Sequence, residues 1–250
     1  MRAQRVVIIM PARNESQRIS KVLEQLRAAL PQAMPVVIDD ASADDTADVA
    51  LSFGARVLHL PVHLGYGGAL QTGYRFAARL GADIVIQMDA DGQHDPVSGP
   101  DLLEHLLEQH LDLVIGSRFH PDGPSYTLSP LRKIGMGALR WMAKQLLHTP
   151  ISDPTSGYQA LSRRLVDFYA DWEGFPSDAP DADVLVWISR CGFRIGEVPV
   201  IMHPRTGGHS MHGGFEPIIY ALKMGLALPL SASRAIRPQS SEDPRGGIAE

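Results

Sequence analysis

Apolar residues come in short β-branched blocks that alternate with longer stretches of helical spacing. Val6-Val-Ile-Ile-Met10 is such a block and predicts a strand buried on both faces; Ser16 to Leu30 follows with apolar positions at Ile19, Val22, Leu23, Leu26 and Leu30. Pro35 to Asp39 predicts a second strand, and Ser42 or Asp44 is placed to cap a helix running to Phe53. A strand over 56–60, the glycine-rich Leu64-Gly-Tyr-Gly-Gly-Ala-Leu70 leading into a helix to Leu80, a strand over 84–88, a helix near 100–110 and a strand over 112–118 complete the regular part. This spacing predicts an α/β fold with a mostly parallel central sheet flanked by helices in a single domain.

Beyond Phe119 the alternation breaks. A loop rich in Pro, Gly and Ser covers 121–130, and an amphipathic helix over 131–147 carries Arg132 and Lys133. Asp153-Pro-Thr-Ser-Gly-Tyr-Gln159 has turn chemistry and leads to a short helix from Ser162. Pro180-Asp-Ala-Asp183 opens another helix, with proline and acids at its amino end, and 193–200 reads as a strand. His203 to Gly214 is a glycine-flanked loop expected to move until a ligand orders it. Phe215 to Ser231 is largely apolar but interrupted by Glu216 and Lys223, which suits a core-packing or an interfacial helix.

Composition narrows the choice of ligand. With 250 residues and 44% apolar content the chain can bury a full core, and a net charge of -5 excludes a broadly basic nucleic-acid surface. A polyanionic ligand must then be held by a few placed arginines or by a metal ion. The single Cys191 excludes an intramolecular disulfide and fits a reducing compartment. The apolar run after Arg5 is too short for a signal peptide or membrane span, so a cytoplasmic location is expected.

The candidate chemistry centres on Ile84-Val-Ile-Gln-Met-Asp-Ala-Asp-Gly-Gln-His-Asp-Pro96, where a buried strand opens on two carboxylates one residue apart. Asp89 and Asp91 are hard oxygen ligands suited to Mg2+ or Mn2+, although Asp-Ala-Asp-Gly serves equally well as a turn. Gly65-Tyr-Gly-Gly68 lies after the third strand rather than the first, so a Rossmann dehydrogenase is rejected; P-loop and Gly-x-Ser-x-Gly signatures are also missing. These glycines let the backbone approach a ligand or simply pack tightly. Arg13, Asp39, Asp89, Asp91 and Arg118 all fall at carboxyl ends of predicted strands, where ligands of such sheets collect.

Taken in order, Met10-Pro-Ala-Arg-Asn-Glu15, Val37-Ile-Asp-Asp-Ala-Ser42, Leu64-Gly-Tyr-Gly-Gly68, Gln87-Met-Asp-Ala-Asp-Gly-Gln-His94, Gly116-Ser-Arg118, Asp153-Pro-Thr-Ser-Gly157 and the Arg205 loop resemble family 2 glycosyltransferases of the GT-A fold. Within that family the resemblance is to dolichyl-phosphate mannose synthases and bacterial polyprenol-phosphate glycosyltransferases. Each motif is weak alone; their shared order is specific. The resemblance implies inverting, metal-dependent transfer from a UDP- or GDP-sugar to a polyprenyl phosphate of a cell-envelope glycan pathway. It implies donor contacts from Pro11, Arg13, Asn14, Glu15, Asp39, Asp40, Gly68, Asp89, Arg205 and Ser210, and Mg2+ or Mn2+ on Asp89, Asp91 and Gln93. Arg118 and Arg132 would hold the acceptor phosphate. Asp39, an acceptor-only group, suits the ring N–H of uracil or guanine.

A lipid phosphate is largely ionised near neutrality and needs no strong base, whereas a saccharide hydroxyl acceptor requires one, with Asp181 or Asp183 the candidates beside their role as helix-start acids. Asp91, Arg118 and Asp183 therefore form the candidate catalytic set. His209 and His212 are further candidates for a metal or phosphate contact. Met211 stands where the family commonly has lysine, which leaves the sugar open. The implied organisation is a catalytic domain over 1–214, an apolar helix over 215–237 and a disordered tail over 238–250. A peripheral contact with the inner face of the cell membrane follows, and a homo-oligomer is compatible with it. The alternatives are transfer to a saccharide hydroxyl and a non-catalytic nucleotide-sugar-binding module.

Overall fold

The β-branched run becomes β1 (Val6–Ala12), in which Val7, Ile8, Ile9 and Met10 have no exposed surface. The computed structural model describes residues 4–124, 137, 140–141, 144–147, 149–178, 180 and 182–203. Arg132, Asp181, Arg205, His209, Ser210, His212, the 215–237 helix and the 238–250 tail lie outside the described residues.

A strand apolar on both sides needs cover on both sides, and successive side chains of β1 point to opposite faces. Ile9 packs with Ile38, Leu70 and Tyr74, while Ile8 and Met10 pack with Val22, Leu26 and Leu102. β1 lies between parallel β2 (Met34–Asp39) and β4 (Ile84–Gln87), and β3 (Arg56–His59) extends the sheet beyond β2. Helices α1 (Ile19–Ala29), α2 (Thr46–Ser52), α3 (Gly65–Arg79) and α4 (Gly99–Glu108) alternate with these strands. β5 (Leu113–Ser117), β6 (Gln159–Ser162), α5 (Arg163–Asp171), α6 (Ala182–Arg190) and β7 (Ile195–Pro199) follow. The sheet order is β3-β2-β1-β4-β6-β5-β7, with β6 antiparallel to both neighbours.

Two elements differ from the sequence expectation. The turn at 153–159 was expected to lead straight to a helix, but β6 intervenes. It is four residues long with no β-branched side chain, and its pairing comes from remote partners: Ala160 lies opposite both Ile86 and Val114. Ser162 then ends the strand and caps α5, its Oγ accepting from the Leu165 N–H at 3.4 Å.

The glycine-rich stretch, expected ahead of a helix, forms the first turn of α3 itself. The Gly67 N–H donates to the Ser177 and Asp178 carbonyls at 2.9 and 2.8 Å, and a Cβ on Gly67 would lie 1.9 Å from the Pro176 carbonyl oxygen. Tight packing of the helix start is thus the role of this glycine. Gly67→Ala is expected to destabilise the fold by about 1–3 kcal/mol. Gly137→Ala, where a Cβ meets nothing within 4 Å among the described residues, should instead be neutral or stabilising by up to about 1 kcal/mol. Urea denaturation of the two variants reads both. Among the described residues no helix is long and apolar enough to cross a membrane.

Candidate active site at the carboxyl edge of the sheet

Parallel pairing brings the ends of β1, β2 and β4 to one edge, β5 ends there too because β6 is antiparallel to both β4 and β5, and the connections reverse direction between β1 and β4. A crevice opens at such a reversal. Pro11 is buried within β1, and Arg13 and Asn14 follow it as exposed residues. Asn14 has a positive φ of 56° and ties two strand-end loops together: its backbone N–H donates to Ser42 Oγ at 3.0 Å, and its Oδ1 accepts from the Ala43 N–H at 2.8 Å. The Glu15 N–H donates to Thr46 Oγ1 at 2.8 Å, and its carboxylate pairs with Arg18.

Asp39 ends β2 and is only 1% exposed. Its Oδ1 accepts from the Ser42 N–H at 3.2 Å; its Oδ2 is buried without a well-directed hydrogen bond, although the His59 imidazole stands 2.6 Å away. Such an oxygen still has capacity for a directed N–H donor. Asp40 behaves differently. Its carboxylate accepts from the Leu64 and Gly65 N–H groups at 2.7 and 3.1 Å and meets His63 Nδ1 at 2.7 Å. It therefore anchors the entry to α3, and Gly68, whose added Cβ would meet Leu64 Cβ at 2.8 Å, belongs to the same packing.

Asp89 and Asp91 follow β4, both partly exposed. Asp89 Oδ1 accepts from the Tyr66 hydroxyl at 2.8 Å, and its backbone N–H donates to His94 Nδ1 at 2.9 Å. That bond puts the proton of a neutral His94 on Nε2, which lies 3.7 Å from Asp89 Oδ2. Burial holds the His94 pKa below the ordinary imidazole value against the pull of Asp89 and Asp91. The Tyr66 pKa is pushed well above the usual phenol value, by burial first and then by the Asp89 charge, so Tyr66 is a donor. Asp91 Oδ1 accepts from the Gln93 N–H at 3.0 Å. Among the described residues no three His, Cys, Asp or Glu side chains gather into a metal cage. Two carboxylates and the Gln93 amide are the kind of partial oxygen set that Mg2+ or Mn2+ completes with phosphate and water.

The chain returns to this loop at its last described residue. The His203 N–H donates to the Gln93 carbonyl at 2.8 Å and its Nε2 meets Asp95 Oδ2 at 2.8 Å, two positions before Arg205.

Arg118, just past β5, forks onto the fully buried Asp153: Nε to Oδ2 at 2.6 Å and Nη2 to Oδ1 at 2.7 Å, with the Arg118 N–H adding a third bond at 3.1 Å. Its guanidinium carbon lies 5.3 Å from the Phe119 ring centre, and that of Arg140 lies 4.2 Å from the same ring. Arg140 Nε and Nη2 are shielded from solvent and have no hydrogen-bond partner among the described residues. Asp183 lies in the first turn of α6; burial first and then its charge raise the Tyr169 pKa, and its Oδ1 is buried without a hydrogen bond among the described residues.

Tyr66, His94, Asp153 and Arg140 were not singled out from sequence. Asp153 lies in Asp153-Pro-Thr-Ser-Gly157, which reads locally as turn chemistry, because its partner is 35 residues away. Arg140 lay on a helix whose facing ring could not be read from spacing alone.

This geometry has relatives. Undecaprenyl-phosphate mannosyltransferase of Micrococcus luteus is 35% identical over 243 residues, covering 92% of this chain and 98% of that protein. Polyprenol monophosphomannose synthase of Mycolicibacterium smegmatis is 31% identical over 222 residues, covering 84% and 82%. Glucosyl-3-phosphoglycerate synthase of Mycobacterium tuberculosis, crystallised with Mn2+ and UDP-glucose, shares the fold with a TM-score of 0.68 at 22% identity, covering 92% of this chain and 79% of that one. The family model for glycosyl transferase family 2 matches residues 7–175. On the GT-A-type sheet, the ordered motifs and this match, the chain belongs to glycosyl transferase family 2 and is a glycosyltransferase.

Proposed function

We propose that the enzyme moves a sugar, with inversion, from a nucleoside diphosphate to a polyprenyl phosphate, with Mg2+ or Mn2+ on Asp89, Asp91 and Gln93. The observation that carries the reading is the shared sheet edge. It holds an acidic pair suited to a metal diphosphate and two arginines against Phe119, one of them with buried donors that have no partner among the described residues. The 35% and 31% identical relatives, both named for polyprenyl-phosphate mannose chemistry, support the acceptor and make mannose the first sugar to test.

Asp39 accepts a ring N–H of the base through its carboxylate. The ion, when bound, neutralises charge on the departing diphosphate. Arg118, Arg140 and Arg132 position the acceptor phosphate, and guanidinium forks match phosphate oxygens well. One phosphate oxygen attacks the anomeric carbon, the bond from that carbon to the diphosphate oxygen breaks, and the nucleoside diphosphate leaves. Since the phosphate is already ionised, no protein base has to take a proton. Arg205 and Ser210 contribute to binding the donor, with the Arg205 charge set against the diphosphate. The protein works at the inner face of the cell membrane, with 215–237 as its peripheral contact.

A panel of GDP-mannose, UDP-glucose and UDP-N-acetylglucosamine with Mn2+ and a short polyprenyl phosphate tests the reading. Nucleoside diphosphate release that requires the lipid, with a glycosylated lipid phosphate by mass spectrometry, is expected; release indifferent to the lipid contradicts it. Arg140→Ala should raise the KM for lipid phosphate about 10-fold or more, as loss of a charge-assisted hydrogen bond implies, and leave the donor KM within about twofold. Equal effects on both substrates would remove Arg140 from the acceptor site.

One observation favours a second reading, transfer to a saccharide hydroxyl. The buried Asp183 Oδ1 has no hydrogen-bond partner among the described residues, as a base would lack one before its substrate arrives. Under that reading Asp183→Asn abolishes transfer to hydroxyl acceptors; under the first it leaves transfer to lipid phosphate intact.

A further inference from the structure

We infer that Tyr66 is a positioning residue for the metal carboxylate Asp89, and that Gly157 exists as a glycine to keep the Tyr66 hydroxyl on it. The inference rests on the metal reading above. A one-way chain of donors ends on this carboxylate: the Tyr74 hydroxyl donates to Gln87 Oε1, Gln87 Nε2 to the Tyr66 oxygen at 3.3 Å, and the Tyr66 hydroxyl to Asp89 Oδ1 at 2.8 Å. A carboxylate only accepts, so the polarity of the chain is fixed, and each bond strengthens the next. Asp89 is held from the other side by His94, whose ring is buried and stacked on Tyr158 with centres 5.0 Å apart at 14°. The carboxylate that would carry the ion is therefore oriented before any ion arrives.

Tyr66 reaches Asp89 because α3 starts where it does. Asp40 holds the Leu64 and Gly65 N–H groups, and the Ser177 and Asp178 carbonyls hold the Gly67 N–H. Gly157 completes the arrangement by leaving space. A Cβ there would lie 2.8 Å from the Tyr66 hydroxyl oxygen and 3.7 Å from both Gln87 Nε2 and His94 Cε1. The Gly157 backbone is not in the left-handed region, so alanine is conformationally allowed and its cost falls on the tyrosine. Two chemically unlike changes, Tyr66→Phe and Gly157→Ala, thus remove one hydrogen bond and spare both aspartates.

The test measures Mn2+ affinity by EPR of free Mn2+, in the presence of UDP and separately of GDP. Loss of a group that orients a metal ligand weakens affinity by about 10–100-fold, and both variants should show that loss with an unchanged urea midpoint in the absence of metal. High Mn2+ should restore their transfer rate. Tyr66→Phe combined with Asp89→Asn should lose no more affinity than Asp89→Asn alone, since the two act through one contact. If both variants bind Mn2+ like the parent while Asp89→Asn does not, the positioning role is wrong and the metal reading stands. If Asp89→Asn itself binds Mn2+ like the parent, the metal reading fails and takes this inference with it. Additive losses in the double variant would also overturn it, because Tyr66 would then act elsewhere.

Discussion

Asp91→Asn is expected to reduce kcat/KM by about 1000-fold or more with either class of acceptor, since a Lewis acid on the leaving group supplies several kcal/mol and each 1.36 kcal/mol is about tenfold in rate. The substitution is nearly isosteric. Its amide oxygen can still accept from the Gln93 N–H, the 3.0 Å bond that shapes this loop, so the fold should survive. The loss must then appear in the chemical step and in metal-dependent donor binding, not in the urea midpoint. Steady-state kinetics over a Mn2+ titration make the check, and a variant retaining a tenth of parental activity would dismiss Asp91 as a ligand.

The largest effect on stability is expected from breaking the Arg118–Asp153 pair, as in Asp153→Ala. Asp153 has no exposed surface and receives three hydrogen bonds from Arg118, whose side chain is itself only 23% exposed. Removing one partner of a buried ion pair leaves the other charge without compensation, which costs about 3–5 kcal/mol. Arg118→Ala should cost a comparable amount, because the carboxylate it leaves is the more buried of the two and keeps only its Thr155 contact, at 3.2 Å, and the Arg118 backbone N–H, at 3.1 Å. The double variant should be more stable than the sum of the singles predicts. Denaturation of the three proteins reads this directly; a cost below about 1 kcal/mol for Asp153→Ala would place the pair among weak surface contacts. Arg118 thus ties β5 to the 153–157 turn, through Asp153 and through Thr155 Oγ1 at 2.9 Å.

The parallel half of the sheet was legible because burial writes itself into local patterns. β1, β2, β4 and β5 are runs of apolar residues, and α1 and α4 carry their buried positions three and four apart. β6 was not legible, because its four residues are strand only by virtue of β4 and β5 on either side. The same distinction runs through the site. Asp89 and Asp91 could be found from spacing, but Tyr66 lies 23 residues before the carboxylate it holds. Asp40 also secures the start of α3, together with the remote 176–178 segment, and neither partner is visible from its local motif. Arg140 needed Phe119 in view before its unspent donors had meaning.

Crystals grown with Mn2+ and UDP or GDP, measured at the manganese absorption edge, put the metal assignment to proof in one experiment. An anomalous peak between the Asp89 and Asp91 carboxylates, about 2.2 Å from their oxygens and shared with a diphosphate whose base reaches Asp39, is the expected result. Nucleotide bound elsewhere on the sheet edge, with no manganese at the acidic pair, would contradict it.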